Sequence, residues 1–148
     1  MDIAYEEIKS LEEKLINKVL YFALSDEYKQ EMKRAKEIFK DINGEEIFSL
    51  KESHFTPWLL WDFKLLNGNS FFEEYIKSEV LVENEQDIIF LNSLANSQLS
   101  VYEIQEKHTG FLKLNNIFLN KEILVKDTLK LNIIDINALL LTRIYNYE

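Results

Sequence analysis

The sequence predicts an α+β fold: helices first, then a small C-terminal antiparallel β-meander or partial barrel. Two observations predict it. Up to about residue 99 the apolar residues recur at steps of three and four, the spacing of one helix face. After Ser100 the apolar segments become short, and Asn, Gly and Lys-Asp pairs that favour turns separate them. With 148 residues, 3 glycines and 1 proline, the chain reads as a single domain over 1–148 without a linker or a glycine-rich phosphate loop. Its parts are a helical hairpin (1–44), an aromatic-rich helical part (45–99) and a β-rich part (100–148).

In the first helix Ala4, Ile8, Leu11, Leu15, Val19 and Phe22 share a face. The run Val19 to Leu24 is apolar all round and predicts burial on several sides. Ser25 is placed to cap a second helix bearing Tyr28, Met32, Ala35, Phe39 and Ile42, which Asn43-Gly44 ends. Thr56-Pro57 reads as an N-cap followed by proline at the first helical position, with Trp58, Leu59, Trp61, Asp62, Phe63 and Leu65 after it. Asn67-Gly68-Asn69 breaks that helix, and Ser70-Phe71-Phe72-Glu73 has the form of a capping box. A last helix spans about Glu85 to Ala95, with Ile88, Ile89, Leu91, Leu94 and Ala95 inward.

The expected strands are Val101–Glu106, Phe111–Leu114, Ile123–Val125 and Ala138–Tyr145, and Leu129–Asn137 reads as strand or helical turn. Turns are expected at Thr109-Gly110, Asn115-Asn116, Asn120-Lys121 and Lys126-Asp127.

Composition excludes several classes of function. Without cysteine there is no disulfide, thiolate nucleophile or thiolate zinc site. A net charge of −9 opposes nucleic acid and anionic lipid at long range. No apolar run is long enough to span a bilayer, and the acidic start Met1-Asp2-Ile3-Ala4-Tyr5-Glu6-Glu7 is unlike a signal peptide, so the expected location is the cytoplasm.

Each candidate site has a plainer structural reading. His54 and His108 stand apart, with Glu52 and Glu106 nearby, and the favoured reading is two surface histidines and no metal site. Asp62 lies between Trp61 and Phe63 and one turn from Trp58, so a partly buried carboxylate there would be a candidate base. An aspartate that caps backbone or accepts a tryptophan N–H is the commoner outcome, and Asp62 and Asn67 are the nearest acceptors for the two indoles. A pocket would take Trp58, Trp61, Asp62 and Tyr75, yet helical spacing explains most of the rings as core. Lys29, Lys33, Lys36 and Lys40, with Arg34 beside them, form a basic face on the second helix. A solvated face, its lysine stems laid over the apolar seam, is favoured there over a nucleic-acid footprint. Finally, Ala138 to Tyr147 is apolar, lacks proline and has one cation, Arg143. Leu139, Leu141, Arg143 and Tyr145 are therefore candidates for a partner-binding edge, against the alternative of a central strand.

From about residue 54 onward the sequence resembles an uncharacterised bacterial domain. The resemblance is carried by Phe55, Trp58, Trp61 and Asp62, and by Gly68, Ser70, Glu73 and Tyr75 as G-x-S-x-x-E-x-Y. Ser100, Tyr102, Glu103 and Ile104, then Val125, Asp127, Leu141 and Arg143, continue it. That domain often precedes a short zinc-binding tail like the one that ends the SecA translocase. The resemblance implies a fold and a bacterial or phage origin, not an activity. The cysteine-rich tail is missing from this sequence, and the family pattern usually continues into further β structure past Glu148.

Taken together, the residues point to a non-enzymatic protein-interaction or adaptor module without a cofactor, whose partner is another protein or a second copy of the chain. Two alternatives stand beside it. One is a small-ligand-binding protein or enzyme using the aromatic pocket around Asp62. The other is a nucleic-acid-binding accessory protein using the Lys29–Lys40 face.

Overall fold

The structure is a computed structural model that describes residues 5–44, 54–78, 84–127 and 133–146. Ala4, Glu52, Tyr147 and the first part of the ambiguous stretch after Leu129 lie outside the described residues. Helices α1 (Tyr5–Ala23), α2 (Lys29–Asn43), α3 (Phe55–Trp61), α4 (Phe71–Lys77) and α5 (Glu85–Ala95) come first. Strands β1 (Gln98–His108), β2 (Phe111–Asn116), β3 (Lys121–Lys126) and β4 (Leu139–Ile144) follow, which makes the fold α+β. The chain divides into two compact units, one of residues 10–95 and one of residues 1–9 with 96–148.

In the helical unit, Leu15, Val19 and Ala23 of α1 are fully buried, as is Ala35 of α2. The end of α1 is not enclosed on all sides, because Tyr21 and Leu24 are exposed. Ser25 takes the extended conformation of a cap but makes no capping bond, and a 3₁₀ turn at Asp26–Tyr28 precedes α2. Gly44 ends α2 as expected: at φ 68° it turns left-handed, and its N–H donates to Lys40 O at 2.7 Å.

Helix α3 begins earlier than Thr56-Pro57 predicts. His54 is its N-cap, and Pro57 sits in the first turn rather than at its first residue. Proline is tolerated there because first-turn N–H groups have no acceptor within the helix. The helix also ends at Trp61 rather than running on to Leu65. The capping box of α4 forms in full: Ser70 Oγ accepts from Glu73 N at 3.2 Å, and Ser70 N donates to Glu73 Oε2 at 2.6 Å. In α5 the inward set is Phe90, Leu91 and Leu94, while Ile89 is exposed.

The sheet is antiparallel in the order β3-β2-β1-β4. It does not close into the partial barrel given as an alternative to a meander. Four strands are too few to wrap round a filled interior, and the outer pair, β3 and β4, stay two strands apart. Tyr102 and Ile104 of β1 and Leu112 and Leu114 of β2 form the sheet's own core, and Ile123, Val125, Leu140 and Ile144 pack against it. A register shift between Ile104 and Glu106 moves β1 by one residue along β2. Asn115 and Asn116 belong to β2 instead of a turn, and the hairpin turns over residues 117–120.

Candidate interaction surface

The aromatic set fills the interior of the helical unit. Phe55, Phe71 and Phe72 are fully buried, and Tyr75 nearly so. Trp58 is half-buried, its ring centroid 5.2 Å from Phe39 and 5.5 Å from Phe63. Trp61 packs against Phe72 with the ring planes tilted and the centroids 4.5 Å apart, and its indole N–H donates to Leu94 O at 2.7 Å, not to Asp62 or Asn67. Arg34 lies 4.4 Å over the Phe63 ring while bonded to Glu31 and to Lys64 O. Asp62, whose partial burial the pocket alternative required, is exposed at the C-terminal end of α3.

Burial raises the Tyr28 hydroxyl above its ordinary value, with Glu27 and Glu74 adding to the effect. The Ser70 backbone N–H holds Glu73 below the usual carboxylate range, helped by Lys64. Both shifts accompany packing and capping inside the helical unit.

Lys29, Lys33, Lys36 and Lys40 are all exposed on α2, each next in sequence to a residue of its packed face. His54 is exposed, and His108 is exposed beside Glu106 at 3.2 Å. Among the described residues no three His, Asp or Glu side chains converge as a metal would require, and no helix is long and apolar enough to cross a membrane.

The sheet places the remaining candidates together. Val101 O accepts from Ile117 N at 3.1 Å, so this residue turns its backbone toward β2. Ile104 N donates to Ala138 O at 3.0 Å and turns the other way. Antiparallel pairs alternate in this respect. Leu140, Thr142 and Ile144 therefore bond to β1, and Leu139, Leu141 and Arg143 direct their backbone groups to the outer edge of the sheet.

The side chains of Leu139 and Leu141 project from the face opposite the core and are 62% and 71% exposed. Val101 pairs with Leu141 and Leu99 with Arg143, while Ile117 lies across from Val101. An aliphatic row thus runs from Ile117, the first residue past β2, through Val101 of β1 to Leu141 of β4, with Leu99 and Leu139 on either side of Leu141. Arg143 Nη1 reaches Ser97 O at 3.4 Å. Tyr145, the fourth edge candidate, lies just past the end of β4 and is half-buried.

The opposite edge differs in chemistry. In β3 the outward-facing residues Glu122 and Lys126 flank Leu124, and Lys121 precedes them. Lys113 bridges to Glu106 at 3.1 Å and to Glu122 at 3.3 Å, tying β3 into a charged patch on the outer face. Those contacts raise the Lys113 ammonium above its usual range and lower Glu106 below its own. Charge of this kind protects an edge from pairing, and β4 has only Arg143.

Ile117 and the exposed Phe118 and Leu119 form an apolar hairpin tip absent from the candidates above. The buried Asn116 side chain holds the tip, its Oδ1 accepting from Phe118 N and Leu119 N, both at 3.1 Å. Three apolar residues directly after an Asn-Asn pair were the available signal.

A model for a family of unknown function (DUF7986) matches residues 3–148, a span that includes the N-terminal hairpin. No curated protein matches the chain, and no solved structure matches it.

Proposed function

The chain belongs to that family of unknown function, and from this premise we propose that it is a protein-interaction module that binds by strand addition at the outer edge of β4. One observation carries the reading. Leu139 and Leu141 direct their backbone groups away from β1 and expose their side chains on the outer face. An added strand gains main-chain bonds from the first feature and side-chain selectivity from the second. The charged β3 edge supplies a contrast within the same sheet. The pocket reading has less support, because Asp62 is exposed and the tryptophan rings are engaged in packing.

The test is affinity capture with cross-linking, using wild type and Leu141→Pro as baits. Proline at this edge position removes an outward N–H and leaves the bonds from Leu140 and Thr142 to β1 in place. The expected result is a protein retained by wild type, cross-linked near β4 and lost with Leu141→Pro. A partner held equally by both baits and cross-linked to the helical unit would overturn the reading.

A further inference from the structure

Resting on the reading of β4 as a docking edge, we infer that the strand which docks there is β4 of a second copy of this chain, antiparallel and centred on Leu141. The first argument is backbone symmetry. Leu139, Leu141 and Arg143 face outward at equal steps about Leu141. A two-fold antiparallel ladder through that point lets Leu141 exchange both main-chain bonds with Leu141 of the second copy. Leu139 then does so with Arg143 of the second copy. Every outward group of the strand meets a complementary one.

Side chains on the outer face give the second argument. The row Ile117–Val101–Leu141 runs up to the edge, and the two-fold continues it into the same row of the second copy in reverse order. Leucine then stands beside leucine at the axis, where each covers the other's exposed side chain.

Charge complementarity is the third argument, and it selects the register. Glu103 pairs with Leu139 across β1 and β4. With Leu139 opposite Arg143 of the second copy, that arginine enters the row that holds Glu103. Two strand spacings, about 10 Å, separate their backbones, within reach of a long guanidinium side chain that exchanges its contact with Ser97 O for one laid over the leucine. Gln105 Nε2 donates to the Glu103 carboxylate and holds it on this face. Centring the two-fold one residue later would set Leu141 against Arg143 and break the aliphatic row. Two residues later would set arginine against arginine.

The experiment is sedimentation over a range of concentrations on the full chain, its Leu141→Lys, Arg143→Glu and Glu103→Arg variants, and the Arg143→Glu/Glu103→Arg double variant. Wild type should dimerise. Leu141→Lys places two ammonium groups at the axis and should weaken the dimer at least about tenfold, with an unchanged melting curve only at dilutions where wild type is also monomeric, because Leu141 is exposed in the single chain. Each charge reversal alone should weaken the dimer, and the double variant should restore it, a rescue specific to this register. A monomeric wild type, an indifferent Leu141→Lys or a double variant without rescue overturns the inference. Amide exchange on a monomeric wild type then separates the two proposals. Rapid exchange at Leu139 and Leu141 removes only the second copy and leaves the edge to a different protein. Slow exchange there removes the docking edge as well.

Discussion

The two units of this chain treat apolar side chains in opposite ways. In the helical unit the rings of Phe55, Phe63, Phe71, Phe72 and Tyr75 are buried, and Trp61 finds a ring, Phe72, and an acceptor, Leu94 O, inside the same unit. In the sheet unit Tyr102, Ile104, Leu112 and Leu114 are buried on one face, while Leu99, Leu139, Leu141, Phe118 and Leu119 are exposed. A helix can turn one stripe inward and give the rest of its surface to charge. A strand presents alternate residues to opposite faces, so apolar residues in succession must place some of them outside. Where β3 fills its outward positions with Glu122, Leu124 and Lys126, β4 fills them with Leu139, Leu141 and Arg143. Function is therefore sought in the sheet, at the edge that carries two adjacent outward leucines and a single charge, Arg143.

The largest expected effect lies in the helical core. Phe72→Ala should destabilise by about 3–5 kcal/mol, read from denaturant unfolding, because it removes a fully buried ring that packs on Trp61. A cost below about 1 kcal/mol would break the contrast by showing that this interior is loosely packed.

Asn116→Ala should cost about 1–3 kcal/mol, since it strips the acceptor from the Phe118 and Leu119 amides. It should also speed amide exchange at the hairpin tip. An unchanged tip would mean that the side chain does not hold it.

Ser70→Ala should cost about 1 kcal/mol through the lost cap of α4. Its partner Glu73 gives that cap a pH dependence. Glu73 titrates below the usual carboxylate range in the folded chain because the Ser70 N–H bonds the ionised form. Its contribution is therefore present at neutral pH and is lost as pH falls through the depressed folded value. Melting curves of wild type and Glu73→Ala should be separated at neutral pH and converge in acid; a gap that stays constant would assign the effect to packing.

The smallest expected effect on stability is at the edge. Leu141→Asn should change unfolding free energy by no more than about 0.5 kcal/mol in dilute, monomeric solution, since the side chain is there mostly in water. A large loss would place Leu141 in the core and erase the difference between the two units.

Local features were legible in the sequence, and those decided by distant partners were not. The capping box of Ser70 and Glu73 and the left-handed stop at Gly44 involve neighbours within four residues, and both form as read. The acceptor of Trp61 lies 33 residues away, so nearby Asp62 and Asn67 were misleading candidates. Phe90 replaces Ile89 inside α5 because tertiary packing, not spacing alone, sets the buried face. The apolar composition of β4 marked it as an unusual edge. Which of its residues face outward depends on pairing with β1, about forty residues earlier in the chain. That pairing turns Thr142 inward, where proline would break the ladder, and makes Leu141 the position to probe. The row through Val101 and Ile117 needed the register of β1 on β4 and the turn after β2, and had no local signature.

Hydrogen exchange of the β4 amides, residue by residue in the isolated chain and followed as concentration is raised, tests the edge most directly. In dilute solution Leu140 and Thr142 should be protected by β1 while Leu139 and Leu141 exchange rapidly, and the latter pair should become protected as the chain associates. Uniform protection of all four amides at the lowest concentration would mean that the edge is already covered within one chain, and β4 would have no strand to offer a partner.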